Sequence, residues 1–559
     1  MFMSLLAVLL ARVQIINGAS YASQAKSELN QHVTLQSIRG AIYDRDGDLL
    51  AVSVPRYDVV ADDFLITSPL AVATQLSSVL HIPASTLYPQ LREENGYVII
   101  AKQVSATLNT KLLDLGISGI STQVDPMRVS PGSSIFQPVL GGVNGSGQGD
   151  AGIEYANNSQ LGGKTGTEII PESPDGQALP GEPEVISKAV PGQNLVLSLD
   201  EPLQVEVTKD VTAEMNASHA NSGIAVVEDV HSGAILAMVD LCRVRNGVCG
   251  ASGPIEPAPS NLALTSVYQP GSVMKLATIS YAMHYNLISP TTPFVVPYEL
   301  SIGGYTFQDA DPHPTETLRV KDILAQSSNI GTIKIERLLG SARLSNALSA
   351  YGFTSATGLN WPGESNGLVT PESTWEGATA PSVAIGTGIA VTPMQVLDAY
   401  NSVANGGVLN PPHLINGVMD AAGSVKTIAP ATGHVAIDPV TASEMVPMLE
   451  GVVQDGTAVS ACVPGYTVAG KTGTAQVPSP DGKGYIPGDW NATFVGFVPA
   501  EAPKLSAIVV LNHPTPIYGG AVSAPVFAQV MGYALRHFDI APPVRSKTSQ
   551  IQCAVKAQS

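Results

Sequence analysis

"GYTVAGKTGTAQV", residues 465–477, is the stretch on which the fold turns. Gly465, Gly470, Lys471 and Thr472 complete the pattern G-x-x-x-x-G-K-[ST] of a phosphate-binding loop. Such a loop works by leading directly into a helix, whose free N–H groups and positive dipole end hold the phosphates. Here the triplet is followed by "TAQVPSPDGKGYIPGDW", with three prolines and three glycines, where a helix does not start. "YTVAG" and "TAQV" read instead as one strand passing through Lys-Thr-Gly. A P-loop ATPase is thereby left as a distant alternative. A near copy, "GGKTGTE" at 162–168, has Asn158 where the first glycine belongs and no nucleophile near it in sequence. It is read as a turn.

A strand bearing Lys-Thr-Gly needs partners, and two lie upstream. "YQPGSVMKLATISYAM" (268–283) holds Ser272 and Lys275 as S-x-x-K at the start of an apolar helix. Residues three apart share a helix face, so the amine can approach the hydroxyl. At a helix N-terminus the Ser272 N–H is free to donate to an oxyanion. The apolar setting of Val273, Met274, Leu276 and Ile279 would bring the Lys275 amine down toward use as a general base. Read alone, the pair is a capping serine with a snorkelling lysine. "AQSSNIG" adds Ser327, Ser328 and Asn329. On the later strand, Gly473 leaves room for a substrate backbone, and the Thr474 N–H is a second oxyanion donor. A flat strand would send Lys471 and Thr472 to opposite faces, so both serve one site only at a twisted edge.

The bulk properties narrow the class. At 559 residues the chain should form about two to four domains, and 44% hydrophobic with 13% charged residues describes a globular protein. A formal charge of −18 argues against nucleic acid, whose backbone requires clustered Lys and Arg. The ten histidines do not cluster with Cys242, Cys249, Cys462, Cys553 or carboxylates at metal-ligand spacing, so no metal is expected. Outside the cytoplasm the four cysteines could form two disulfides, Cys242 and Cys249 being the local candidates; buried free thiols are the alternative. "MFMSLLAVLLARVQI" is apolar only to Ala11, short of the roughly 20 residues a spanning helix needs. It reads either as a short buried or amphipathic helix or as part of a membrane anchor.

Residues 17–190 alternate short strands with Gly-, Ser-, Pro- and Asp-rich turns, with helices expected at "SPLAVATQLSSVL" and "NTKLLDLG". "PESPDGQALPGEPEVISKAVPGQN" marks a boundary. Beyond it, "SGIAVVEDVHSGAILAMVD" reads as a hairpin, a helical middle follows, and strands return at "ATFVGFVPA" and "KLSAIVVLN" before a helix "APVFAQVMGYALRHF". Strands at both ends with helices between predict one mixed α/β domain whose ends meet in a shared sheet.

S-x-x-K, S-x-N and K-T-G in this order resemble the signature of penicillin-recognising serine acyltransferases. The rest of the chain resembles class B penicillin-binding proteins, monofunctional peptidoglycan transpeptidases, and more closely their division branch. "RGAIYDRDGDLLA" (39–51), "MRVSPGSS" and "GDAGIEYANNSQLGGKTG" are similar to the non-catalytic pedestal. "GLNWPGESNG", "AIGTGIAVTPMQ" and "YGGAVSAPVF" are similar to the transpeptidase domain. The resemblance implies a strand-rich α+β pedestal and a mixed α/β, serine β-lactamase-like transpeptidase domain. The segments would be a partial anchor (1–16), pedestal (17–190), transpeptidase domain (191–540) and tail (541–559). It implies that Ser272 attacks the penultimate D-Ala of a stem peptide and Lys275 takes its proton. Ser327 would relay that proton, and Asn329 would hold the substrate amide and Lys275. Lys471, Thr472 and Thr474 would bind the substrate carboxylate, with no metal or organic cofactor. β-Lactams would acylate Ser272, and the pedestal would hold a membrane glycan polymerase and division proteins. A D,D-carboxypeptidase, a β-lactamase and a non-catalytic scaffold are the competing readings.

Overall fold

The computed structural model describes residues 30–543 other than 94–95, 133, 172–183, 421 and 480, together with Arg12, Gln14, Asn17 and Tyr21. The expected anchor, apart from Arg12 and Gln14, and the tail from residue 544 lie outside them. Among the described residues no helix is long and apolar enough to cross a membrane.

The predicted hairpin forms from Ser222–Asp229 and Ile235–Arg245, antiparallel, with Ala225 opposite Val239. Its first strand also pairs with Leu505–Asn512, Ala225 lying opposite Val509, so the two ends of the domain do meet in one sheet. The strand order is 248–250, 235–245, 222–229, 505–512, 485–498, 469–478, with 255–257 pairing off that path. Val226, Val227, Ile508 and Val495 are fully buried, and continuous apolar burial on both faces requires a layer on each. Helices Glu201–Ala217 and Gly519–His537 pack on the sheet and on each other. The Asp200 carboxylate joins them, accepting from Leu203 N at 2.9 Å and meeting His537 Nε2 at 2.8 Å. Helix Pro393–Ala404 packs on the sheet's central strands.

Ala469–Pro478 is a strand throughout, followed by strands Tyr485–Val498 and Leu505–Asn512, so the helix a phosphate loop needs is not there. The last helix begins at Gly519, five residues before the Ala524 expected from sequence. Its first turn is made of small residues because it lies against the sheet. A Cβ on Gly519 would stand 2.2 Å from Thr493 O.

Two cores organise the described residues. One is confined to the segment between Tyr57 and Ile120 and includes Val59, Leu76, Leu87 and Leu112. The other runs from Ile42, Leu50 and Phe136 without interruption into the large sheet. Ile42–Tyr43 pairs in parallel with Asn194–Leu197, across the Pro/Gly-rich stretch. Three separate pedestal stretches converge on one buried carboxylate. Glu154 Oε2 is 2.6 Å from Arg39 Nε, and its Oε1 is 2.7 Å from Arg128 Nε, all three side chains less than a tenth exposed. Lys164 of the copied triplet is exposed and lines, with Arg39 and Arg128, a polar cleft of about 610 Å³.

Candidate active site

The nucleophile candidate sits on a 3-10 turn. Gly271–Met274 forms that turn and the α-helix proper starts at Lys275, so Ser272 stands just before the helix the sequence had it opening. Gly271 has φ +60°, a left-handed conformation that glycine adopts without steric cost, and its N–H donates to Gly386 O at 3.0 Å. From the other side Tyr400 Oη donates to Val273 O at 2.8 Å. Both partners come from the region around "AIGTGIAVTPMQ", which therefore buttresses the serine turn.

Lys275 is fully buried and points at the second motif. Its Nζ donates to Ser327 O, to Ser327 Oγ at 3.2 Å and to Asn329 Oδ1 at 2.8 Å. Since Asn329 Oδ1 faces the lysine, its Nδ2 faces away and donates to Gln308 O at 2.8 Å. Only one of its two amide protons is then left for a substrate. Ser327 adopts φ +63°, uncommon for a non-glycine residue, while Ser328 caps the next helix through Gly331 N at 2.9 Å.

Lys471 comes from the edge strand and reaches the same hydroxyl, Nζ to Ser327 Oγ at 2.9 Å. It is fully buried and bends back along its strand, lying 3.2 Å from Thr472 O and 3.4 Å from Thr472 Oγ1. The opposed faces of a flat strand are thus no obstacle to bringing both residues to one place. Thr472 Oγ1 is held by Thr457 Oγ1 at 2.6 Å, and Thr474 Oγ1 accepts from Gly519 N at 3.3 Å. Gly473 departs from its expected part. A Cβ there would lie 2.6 Å from Pro270 O and 3.2 Å from Val273 Cγ1. The missing side chain lets the strand close on the serine turn; the space it leaves is filled by protein.

One hydroxyl between two buried amines has an electrostatic consequence. Burial brings Lys275 down to about 7, with the Asp309 carboxylate pulling the other way. Burial, and then the neighbouring Lys275, holds Lys471 well below the ordinary lysine value. Two ammonium groups here would repel, so near neutrality the pair is poised to give up and take back a proton. Asp309, Gln308 and Thr457 were not singled out from sequence. Gln308 ends the strand Tyr305–Gln308, Asp309 follows it and Thr457 lies in a turn, and no local pattern marks them.

Residues 223–532 match the penicillin-binding protein transpeptidase domain, and residues 34–197 the penicillin-binding protein dimerisation domain. The chain belongs to the class B penicillin-binding proteins. This penicillin-binding protein is 30% identical to penicillin-binding protein PbpB of Mycobacterium tuberculosis, over 94% of its own length and 82% of the relative's. It is 29% identical to the peptidoglycan D,D-transpeptidase FtsI of Escherichia coli, over 96% and 90%. It superposes on penicillin-binding protein 3 of M. tuberculosis complexed with aztreonam with a TM-score of 0.70 and 27% identity, covering 92% of this chain and 98% of that one. Class B penicillin-binding proteins of the division type are thus its relatives in sequence and in fold.

Proposed function

We propose that Ser272 is the acylated nucleophile of a peptidoglycan D,D-transpeptidase, the activity its relatives' names carry. The observation supporting this most directly is Ser327 Oγ standing within hydrogen-bond reach of both Lys275 and Lys471. Lys275, neutral for part of the time near pH 7, accepts the Ser272 proton as Oγ attacks the carbonyl carbon of the penultimate D-Ala. The oxyanion is held by the N–H groups of Ser272 and Thr474. As the C–N bond breaks, the proton passes from Lys275 through Ser327 to the departing D-Ala amine. A second stem peptide's amine then attacks the ester, the proton returns along the same path, and Ser272 Oγ is released. Lys471, Thr472 and Thr474 hold the terminal carboxylate, and the remaining Asn329 amide proton orients the substrate peptide. A β-lactam enters the same cycle and stops at the ester.

The segments 17–190 and 191–540 would serve as pedestal and transpeptidase domain. Anchoring by residues preceding the pedestal would place both outside the cytoplasm. The Cys242–Cys249 disulfide supports such an oxidising compartment, and Cys462 is disulfide-bonded as well, while Cys553 lies outside the described residues. The pedestal would hold a membrane glycan polymerase and division proteins. Purified protein incubated with a fluorescent penicillin should give a stable covalent adduct that Ser272→Ala abolishes. Absence of the adduct on wild type would remove the reading, and rapid loss of it would favour a hydrolase.

A further inference from the structure

Lys275 grips Ser327 and Asn329, and a second side chain grips the residues in between and beyond. Asp309 Oδ2 accepts from Ser328 Oγ at 2.8 Å, and Oδ1 accepts from Ile330 N at 2.9 Å. The amine and the carboxylate are therefore anchored on alternate residues of one turn. Asp309 is brought there by the exit of the Glu299–Ile302/Tyr305–Gln308 hairpin, whose last residue also receives the Asn329 amide. It is less than a tenth exposed. His313 lies on its outer side, Nε2 at 3.1 Å from Asp309 Oδ2.

We propose that Asp309 is a positioning residue for acyl transfer, fixing the Ser327–Asn329 turn and supplying the carboxylate that balances the buried Lys275, with His313 competing for that charge from the surface. The inference rests on the acyl-transfer reading of Ser272. Capping of helix Asn329–Leu339 alone would require only the bond to Ile330 N and no charge. The surroundings contain the charges needed for more. Lys275 and Asp309 hold neighbouring residues of the same turn, and the Asp309 charge opposes the lowering of the Lys275 pKa by burial, while Lys275 in turn lowers that of Lys471. His313 faces Asp309 and, through Nδ1, Pro314 O at 2.8 Å and Glu316 Oε1 at 3.4 Å. With acceptors at both ring nitrogens, His313 is best satisfied as the imidazolium, and these bonds raise its pKa above the ordinary histidine value. A protonated His313 draws on the same carboxylate that stabilises Lys275 as the ammonium.

The signs follow. Asp309→Asn keeps an acceptor for Ile330 N but removes the charge, so Lys275 loses its proton more easily. The acid limb of penicillin acylation should move to lower pH by about one unit. His313→Gln frees Asp309's charge for Lys275 and should move the limb the opposite way. Asp309→Ala, which also releases the turn, should lower the plateau rate at least about tenfold while labelling remains specific to Ser272. The pH at which Lys275 deprotonates, followed by NMR of the labelled lysine side chain in the same variants, gives the same shifts without relying on activity. An unmoved limb and unmoved Lys275 titration in Asp309→Asn, with wild type acylated normally, would overturn the inference. So would a shift of the same sign in Asp309→Asn and His313→Gln. If wild type is not acylated at Ser272, the acyl-transfer reading falls, and the NMR titration still decides whether Asp309 balances Lys275.

Discussion

Ser327 carries the heaviest demands of any single residue in the site. Its hydroxyl serves two amines, its carbonyl accepts from Lys275, and its backbone sits in the left-handed region. A non-glycine residue held there costs on the order of 1 kcal/mol or more, sustained by the surrounding bonds. Ser327→Ala keeps the backbone as it is and removes only the shared hydroxyl. Acylation by a fluorescent penicillin should slow about 100-fold, with the melting temperature nearly unchanged. The wild-type rate should rise through an acid limb near pH 7, where Lys275 becomes neutral, as read from the pH profile of the same labelling. Stability carries the matching sign. The folded Lys275 value lies below the unfolded one, so the unfolded chain binds more protons between about pH 7 and 10.5, and stability from this group rises across that window. The copied triplet supplies a control, since Lys164→Ala should leave labelling unchanged whereas Lys471→Ala should slow it severely. S-x-x-K and K-T-G were legible because their spacing is local. Asp309 was not, because it reaches the site by tertiary folding from a hairpin with no sequence mark.

At the scale of elements, the site depends on how closely the edge strand approaches the serine turn. A Cβ on Gly473 would run into Pro270 O and Val273, and one on Gly271 would lie 3.2 Å from both Thr474 O and Ala475 Cβ. The interface is backbone against backbone. Gly473→Ala would force the strand away from the turn, costing about 1–3 kcal/mol of stability and displacing Thr474 N–H from Ser272. A lowered melting temperature together with slower acylation would be the expected pair of results; a lowered melting temperature alone would show that the two donors tolerate the shift. Element identities along the domain were readable from periodicity, since helices such as Asn329–Leu339 and strands such as Leu505–Asn512 have uninterrupted patterns. The glycine's purpose was not, because sequence shows that a side chain is missing without showing what occupies its place.

At the scale of the molecule, three pedestal stretches recognised separately prove to be one structure. Arg39, Arg128 and Glu154 are brought together from positions far apart, and one carboxylate serves two guanidinium groups. Glu154→Ala would leave two buried cations uncompensated, a loss of about 3–5 kcal/mol, read as a drop in the denaturation midpoint. The shared sheet was foreseeable from strands at both ends of the domain. Its order was not, because nothing local says which strand from the end pairs with which from the beginning. That pairing also has a cost in time. The strand Ser222–Asp229 ends up between Ile235–Arg245 and Leu505–Asn512, yet the ribosome makes the second neighbour almost a whole domain later. At ordinary rates of synthesis the interval is roughly fifteen seconds to a minute. Throughout it, one side of an apolar strand lacks its partner, so the newborn chain must be kept from other unpaired strands until residues 505–512 have emerged.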